Sequence, residues 1–290
     1  MDKLYEIQEC CFKISEFAIE SMLYEVSCFP SPGLVSPIST GAHKDMDYYT
    51  FIKSTASLSK YMILFAKAGY CMDKPEEIFK NIRKIGIDAE KAMLNKTEGI
   101  NTHKGTIFLL GISIAATTKV IFSKGSFSSI RDIIKEMTKG IVEKELKNID
   151  KNKKLTYGEK LYLDYGIEGI RGQVEKGLPL IFDYSLDIFK DTNKLSFNDR
   201  LVHTLISIMC YLDDSNILHR HSLKMLKYIN NKAKDITKLG GMKTEEGRRL
   251  ITDLDKEFIE KRISPGGCAD LLIITLFFNL VENYFKEIGH

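Results

Sequence analysis

His43, Lys44, Asp45 and Asp47 sit almost side by side in the run Gly41-Ala42-His43-Lys44-Asp45-Met46-Asp47. An imidazole, a cation and two carboxylates so close together could hold phosphate and Mg²⁺, a hard ion that shares one or two carboxylates with substrate phosphates. Just upstream, Pro30-Ser31-Pro32-Gly33-Leu34-Val35 combines two prolines that impose an extended path with a Gly33 that permits a tight turn close to a ligand. On a continuous helix the two acids would point roughly 200° apart, so they converge only in a loop or a first helical turn. Taken alone, Asp45 or Asp47 reads as the cap of the helix that follows. The neighbouring His43 and Lys44 turn the reading towards a phosphate and metal site.

Four further clusters share this character. Asn101-Thr102-His103-Lys104-Gly105 precedes an apolar run; Asn101 or Thr102 is a natural N-cap, which leaves first-turn N–H groups beside two candidate cations and suits phosphate. Gly166-Ile167-Glu168-Gly169-Ile170-Arg171-Gly172 spaces its glycines every third position and follows no strand, so it reads as a flexible loop presenting Arg171 rather than a dinucleotide-binding turn. Asp213-Asp214-Ser215-Asn216-Ile217-Leu218-His219-Arg220 is either a helix stop and start or a paired-acid metal corner, with Arg220 on the same helical face as Asn216. Ser264-Pro265-Gly266-Gly267-Cys268-Ala269-Asp270 can turn successive N–H groups of Gly266 and Gly267 onto an anion, and Asp270, opening a buried element, needs a partner.

Other reactive residue types point elsewhere. His203 lies on an apolar helix face and reads as a satisfied core or interface residue; His290 is terminal. Cys268 has no neighbouring histidine to activate it, which disfavours thiol chemistry.

The elements that must position these clusters are helices. Apolar residues recur every three or four positions, as in Ile7, Cys11, Ile14, Ala18, Met22 and Val26. Similar patterns cover about 47–68, 75–94, 103–122, 127–148, 175–190, 198–212, 216–238, 244–262 and 268–287. The expectation is an all-α, single compact domain of about ten helices over residues 1–290, without alternating strands or internal repeats. The polar stretch Lys147 to Lys154 reads as a solvated helix end and turn. Leu271 to Leu280, the most apolar segment, is too short to cross a bilayer and should be a buried helix; Phe- and Leu-rich helices of this kind could also serve a homodimer interface.

Composition narrows the function. A net charge of +3, from 42 basic and 39 acidic residues, provides no broad field for nucleic acid or an anionic membrane, so anion binding must be local. The six cysteines show no metal-ligand spacing and read as reduced thiols of a cytoplasmic protein. The opening Met1-Asp2-Lys3-Leu4-Tyr5-Glu6 has no apolar signal-peptide core, so secretion is not expected.

In this order the five clusters resemble the CitG-type triphosphoribosyl-dephospho-CoA synthases, whose relatives serve citrate lyase and malonate decarboxylase. The resemblance runs from about Glu25 to Leu272 and rests on Pro32-Gly33-Leu34-Val35, Gly41 to Asp47, Asn101 to Gly105, Gly169-Ile170-Arg171-Gly172 and Ser264 to Leu271. Against the family pattern, Ser31 replaces a Lys, Ser36 an Asp, Gln173 an acid, Ser215 a Thr, and His221-Ser222 a Gly-Gly pair.

The resemblance implies a helical fold and attack of the 2'-hydroxyl of 3'-dephospho-CoA on the ribose C1' of ATP, with loss of adenine. The product would feed the machinery that makes a holo-acyl carrier protein. Such a centre needs a base for the hydroxyl, an acid for adenine and negative charge beside an oxocarbenium-like ribose. On this reading Asp45, Asp47, Asp213 or Asp214 holds Mg²⁺. Lys44, Lys104, Arg171 and Arg220 neutralise the triphosphate, with Asn101, Thr102, Ser264, Gly266 and Gly267 around it. Asp45 is the first choice of base, His43 or His103 protonates adenine, and Pro32, Gly33, Asn216 and Asp270 line the substrate pocket.

Two other enzyme classes fit less well. A helical metal-dependent phosphohydrolase would use a His-Asp dipeptide, which the sequence lacks, and a prenyl synthase would repeat Asp-Asp-x-x-Asp, whereas Asp213-Asp214 meets Ile217 at the fifth position. A non-enzymatic helical interaction protein would scatter the clusters as surface caps. An enzyme must gather them in one cleft.

Overall fold

The structure, a computed structural model, describes residues 8–148 and 155–289; Met1 to Ile7, residues 149–154 of the polar stretch and His290 lie outside them. Thirteen α-helices follow one another along the described chain: α1 Glu9–Ser27, α2 Tyr48–Gly69, α3 Pro75–Lys96, α4 Lys104–Phe122, α5 Ile130–Thr138, α6 Tyr157–Tyr165, α7 Gly169–Glu175, α8 Leu186–Asp191, α9 Phe197–Met209, α10 Ser215–Arg220, α11 Leu223–Lys238, α12 Glu245–Lys261 and α13 Gly266–Glu287. Among the described residues β-pairing is limited to one isolated bridge, Ser36 with Ser39.

Burial sorts these helices into an inner and an outer set. In α4 nearly every side chain from Thr106 to Val120 is buried, and in α13 the whole run Leu271 to Phe278 is. A helix that is apolar all round can only sit inside. α4 packs on α1, α2, α3, α5 and α13, while α13 packs on α1, α4, α8 and α9. Outer helices such as α3, α11 and α12 bury a single stripe, for α11 Leu226, Ile229, Ala233 and Ile236. One core runs from Cys11 to Phe285, with a satellite of Val26, Val35 and Met46 under the first polar loop.

Several expected elements differ in length or number. Leu271–Leu280 belongs to a 22-residue helix, and both α4 and α13 are long and apolar enough to span a bilayer, though both are mostly buried within the fold. Because Leu271 to Phe278 face the chain's own core, that stretch of α13 offers no apolar face to a dimer partner. The expected helix 127–148 breaks at Gly140, whose φ of +76° leaves the helical region, and resumes as a π turn, Glu143–Lys147. The expected helix 175–190 starts only at Pro179, after Gly177 and Leu178 adopt left-handed φ, and runs through a π turn at Ile181–Ser185. The expected helix 216–238 is two helices, because the Ser222 side chain accepts from Met225 N–H and caps a new start. α6, opened by a Thr156–Glu159 capping box, and α7 were not expected; the Arg171 segment is helix rather than flexible loop.

Candidate active site

The first turn of α13 is where the polar clusters meet. From the first cluster, Gly33 N–H donates to Asp255 Oδ1 at 3.0 Å, and a Cβ on Gly33 would lie 2.0 Å from the Ile263 carbonyl oxygen. The close approach that Gly33 permits is therefore to the chain's own backbone, a correction to the ligand-facing turn expected from sequence. His43 Nε2 is 2.9 Å from Ser264 Oγ, and its Nδ1 is 3.7 Å from Asp45 Oδ1.

From the second cluster, the hydroxyl of Thr106, one residue past Gly105, donates to Asp270 Oδ1 in a short hydrogen bond, and a Cβ on Gly105 would lie 2.1 Å from Asp270 Oδ2. From the fourth, Asp214 Oδ1 accepts from Asn216 N–H at 2.8 Å and Ile217 N–H at 3.3 Å, while its Oδ2 accepts from Cys268 N–H at 3.0 Å. Gly266 packs against the Asn216 amide and Gly267 against the Asp214 carboxylate, where a Cβ would come within 2.8 and 3.0 Å. The glycine pair thus lets the acidic corner dock on the helix start. The third cluster joins from the side: Arg171 Nη1 packs against Gly158 of α6, and Tyr157, at the start of that helix, lies against the His219 ring of α10.

Burial sets the electrostatics of this hub. It pushes the Asp270 carboxyl up to about 7, with the charge of Asp214 adding and the Thr106 hydroxyl opposing. Glu25, on the last turn of α1, is pushed up to about 8 by burial and by the charge of Asp270. Burial also raises Asp214 and Asp255, each partly offset by backbone N–H donors. His43 sits below the usual imidazole range because burial and the Arg220 charge disfavour its cation, against the opposing pull of Asp45. Cys268 is held well above the usual thiol range by burial and by Asp214, so it stays an unreactive thiol, as its lack of a histidine neighbour suggested.

Several residues sit differently from the roles given them. His103 is buried, its Nδ1 2.7 Å from Ser54 Oγ and its ring edge-on to Phe51. Burial drives it down to about 3, so it is neutral at physiological pH and cannot store a proton for adenine. Thr102 donates to Ser54 Oγ, and Asn101 Oδ1 accepts from Lys104 N–H, so both brace the start of α4. Lys104 pairs with Glu90 at 2.5 Å, and Arg171 with Glu145 at 2.7 Å.

Asp47 Oδ1 accepts from the Thr50 N–H and hydroxyl, closing the capping box of α2, and Asp214 commits both oxygens to backbone N–H groups. Asp214 cannot ligate a metal ion without giving up a helix start, whereas Asp47 spends one oxygen on its cap and keeps Oδ2 free of protein partners. Asp213 is exposed and borders a surface groove of about 310 Å³ with Lys227 and Lys234. Among the described residues no group of three or more His, Cys, Asp or Glu side chains is placed to hold a metal ion. His203 Nδ1 accepts from Met242 N–H, a satisfied core histidine as expected.

Sequence reasoning passed over Glu25, Thr106 and Asp255. The signal for Glu25 was present: it continues the buried stripe of Ile14, Ala18 and Met22, where an acid is out of place.

The profile of the family CitG, ATP:dephospho-CoA triphosphoribosyl transferase, matches residues 11–288. A Streptococcus mutans protein named "Probable 2-(5''-triphosphoribosyl)-3'-dephosphocoenzyme-A synthase" is 32% identical over 96% of this chain and 99% of its own length. A Lactiplantibacillus plantarum protein of the same name is 35% identical over 92% of this chain and 96% of its own. Protein CitXG of Leuconostoc mesenteroides subsp. cremoris is 38% identical over 90% of this chain and 57% of its own length. No solved structure matches. With nearly the whole chain matched and four of the five polar clusters meeting round one helix start, the chain belongs to the CitG family of ATP:dephospho-CoA triphosphoribosyl transferases.

Proposed function

We propose that the reaction takes place at the first turn of α13, where the triphosphoribosyl group of Mg²⁺-bound ATP passes to the 2'-hydroxyl of 3'-dephospho-CoA and adenine departs. The observation that carries this placement is the contact of segments around residues 33, 43, 106, 214 and 264–270 at a single helix start. A scaffold of scattered caps has no reason to bring them together.

The cations divide by availability. Lys104 and Arg171 are already paired with acids, whereas Lys44 and Arg220 have no ion-pair partner among the described residues. Arg220 is close enough to His43 to depress its protonation. Lys44 and Arg220 therefore receive the triphosphate, with the N–H groups of Gly266 and Gly267 beside them.

Among the four acids first considered for Mg²⁺, Asp45 fits: its side chain is 63% exposed, free of helix-cap duty and next to His43. One carboxylate plus phosphate oxygens is an ordinary Mg²⁺ environment, and the ion would neutralise charge on the triphosphate. His43, neutral and hydrogen-bonded to Ser264, passes a proton between the buried site and the exposed Asp45 side, the direction in which adenine's proton must travel. A cytoplasmic setting, where ATP and dephospho-CoA occur, agrees with six free cysteines. The product serves the acyl carrier protein of citrate lyase or malonate decarboxylase.

The test incubates the protein with ATP, Mg²⁺ and dephospho-CoA and measures free adenine and the heavier CoA derivative. Asp45→Ala should keep its fold and lose about 10- to 100-fold in kcat/KM for MgATP, the worth of a hydrogen bond or ligand to a charged group. A folded Asp45→Ala protein with full adenine release removes Asp45 from the site.

A further inference from the structure

Three buried acids surround the start of α13 besides Asp270, and two of them have an evident structural duty. Asp214 caps α10 and accepts from Cys268 N–H; Asp255 accepts from Gly33 N–H. Glu25 has none. It is 4% exposed, yet among the described residues its carboxyl takes part in no hydrogen bond and no ion pair.

Asp270, on the neighbouring α13, is positioned by the Thr106 hydroxyl on one oxygen and by the bare α-carbon of Gly105 against the other. α1 and α13 pack together, and each acid lies within the other's electrostatic reach. A buried carboxyl kept only for packing would carry a donor, because an unmatched one is costly to bury.

We propose that Glu25 and Asp270 form one catalytic carboxylate pair that takes the proton of the dephospho-CoA 2'-hydroxyl and faces the ribose carbon while adenine leaves. This rests on the glycosyl-transfer reading above. The hydroxyl O–H bond breaks and its proton goes to the pair. The oxygen electron pair forms the new bond to C1', and the C1'–N bonding electrons depart with adenine. Adenine gains one proton from water by way of His43 and the pair returns one to water, so the step neither makes nor consumes acid.

Two carboxylates within electrostatic reach of each other do not ionise together easily, and with Asp270 at about 7 and Glu25 at about 8 the two acids hold close to one proton near neutrality. A base poised there accepts a proton without being masked by one. The neighbouring titratable groups do not supply a cation: Asp214 adds negative charge, and the Cys28 and Cys268 thiols are raised by burial and remain neutral.

The decisive experiment compares full-length wild type with Glu25→Gln, Asp270→Asn and, as a surface control, Glu16→Gln. Glu25→Gln and Asp270→Asn should each lower kcat for adenine release by about a hundredfold to ten-thousandfold, with KM for both substrates and thermal unfolding little worse than wild type. The control should be unchanged. A folded Glu25→Gln protein that keeps wild-type kcat, or loses only KM, overturns the pair. Infrared titration of wild type, which needs no turnover, should show a protonated-carboxyl band that fades between about pH 6 and 9 and shrinks in each variant. Absence of that band also overturns the pair, including where Glu25→Gln does not fold. Wild type that shows the band but releases no adenine refutes the glycosyl-transfer reading and, with it, the catalytic role of the pair, leaving only the shared proton.

Discussion

Buried carboxyls without cation partners hold protons in the folded chain that the unfolded chain would release, and this makes Glu25 and Asp270 visible in stability as well as in rate. Their folded values of about 8 and about 7 lie above an unfolded range of roughly 4. Between those limits the native state binds more protons than the unfolded state, so stability falls as pH rises through the window and the loss is complete above about pH 8. Glu25→Gln removes the group that must be stripped of its proton. It should therefore raise Tm at about pH 8.5 by at least roughly 2–4 °C, equivalent to about 1 kcal/mol, and change it little at about pH 5. Thermal unfolding at the two pH values checks this. Wild type more stable than the variant at the higher pH would mean that a cation pairs with Glu25. A site that gives up stability for a poised base is a familiar trade.

At the scale of elements, helix starts account for much of what the motifs do. Asp47 combines a carboxylate on the Thr50 N–H with a Thr50 hydroxyl returned to its own N–H, so its value lies in opening α2. Asp47→Ala should cost about 1 kcal/mol and lower Tm, while kcat and the Mg²⁺ concentration for half-maximal activity stay within about twofold. Loss of the Mg²⁺ response, rather than of stability, would return Asp47 to the metal. The alternation of the two roles explains what the chain's residue pattern could reveal. Strong three-and-four periodicity gave away α1 to α4, α9 and α11 to α13, whose stripes are long. α6 was hidden because only Leu161 among its nine residues is buried, and α7 because glycines at 169 and 172 read as loop. Cap and ligand use the same residue types, so Asp47 and Asp214 could not be told from Asp45 until their hydrogen bonds were seen. Glu25 gives no such signature, because it lies inside α1 and away from the glycine- and proline-rich breaks that mark the other clusters.

Across the whole molecule, the placement of the site makes ligand binding and global stability one problem. The groups assigned to the triphosphate and to proton transfer come from the loop before α2, the end of α10 and the start of α13, and α13 and α4 are the two helices buried on nearly every side. A ligand that bridges those segments binds only when they are assembled, so its binding energy adds to the energy of folding. At a free MgATP concentration about 100 times Kd the gain is ~2.7 kcal/mol, which for a chain of this size corresponds to a Tm rise of roughly 5–10 °C. ATP with a chelator should give a smaller rise, because Lys44 and Arg220 alone must then offset the triphosphate charge. The chelator without ATP should leave Tm unchanged, since among the described residues no preformed group of ligands holds the fold together through a metal ion. Scanning calorimetry under these three conditions separates the possibilities. A chelator effect on the ligand-free protein would reveal a structural ion, and equal rises with and without Mg²⁺ would remove the metal from ATP recognition.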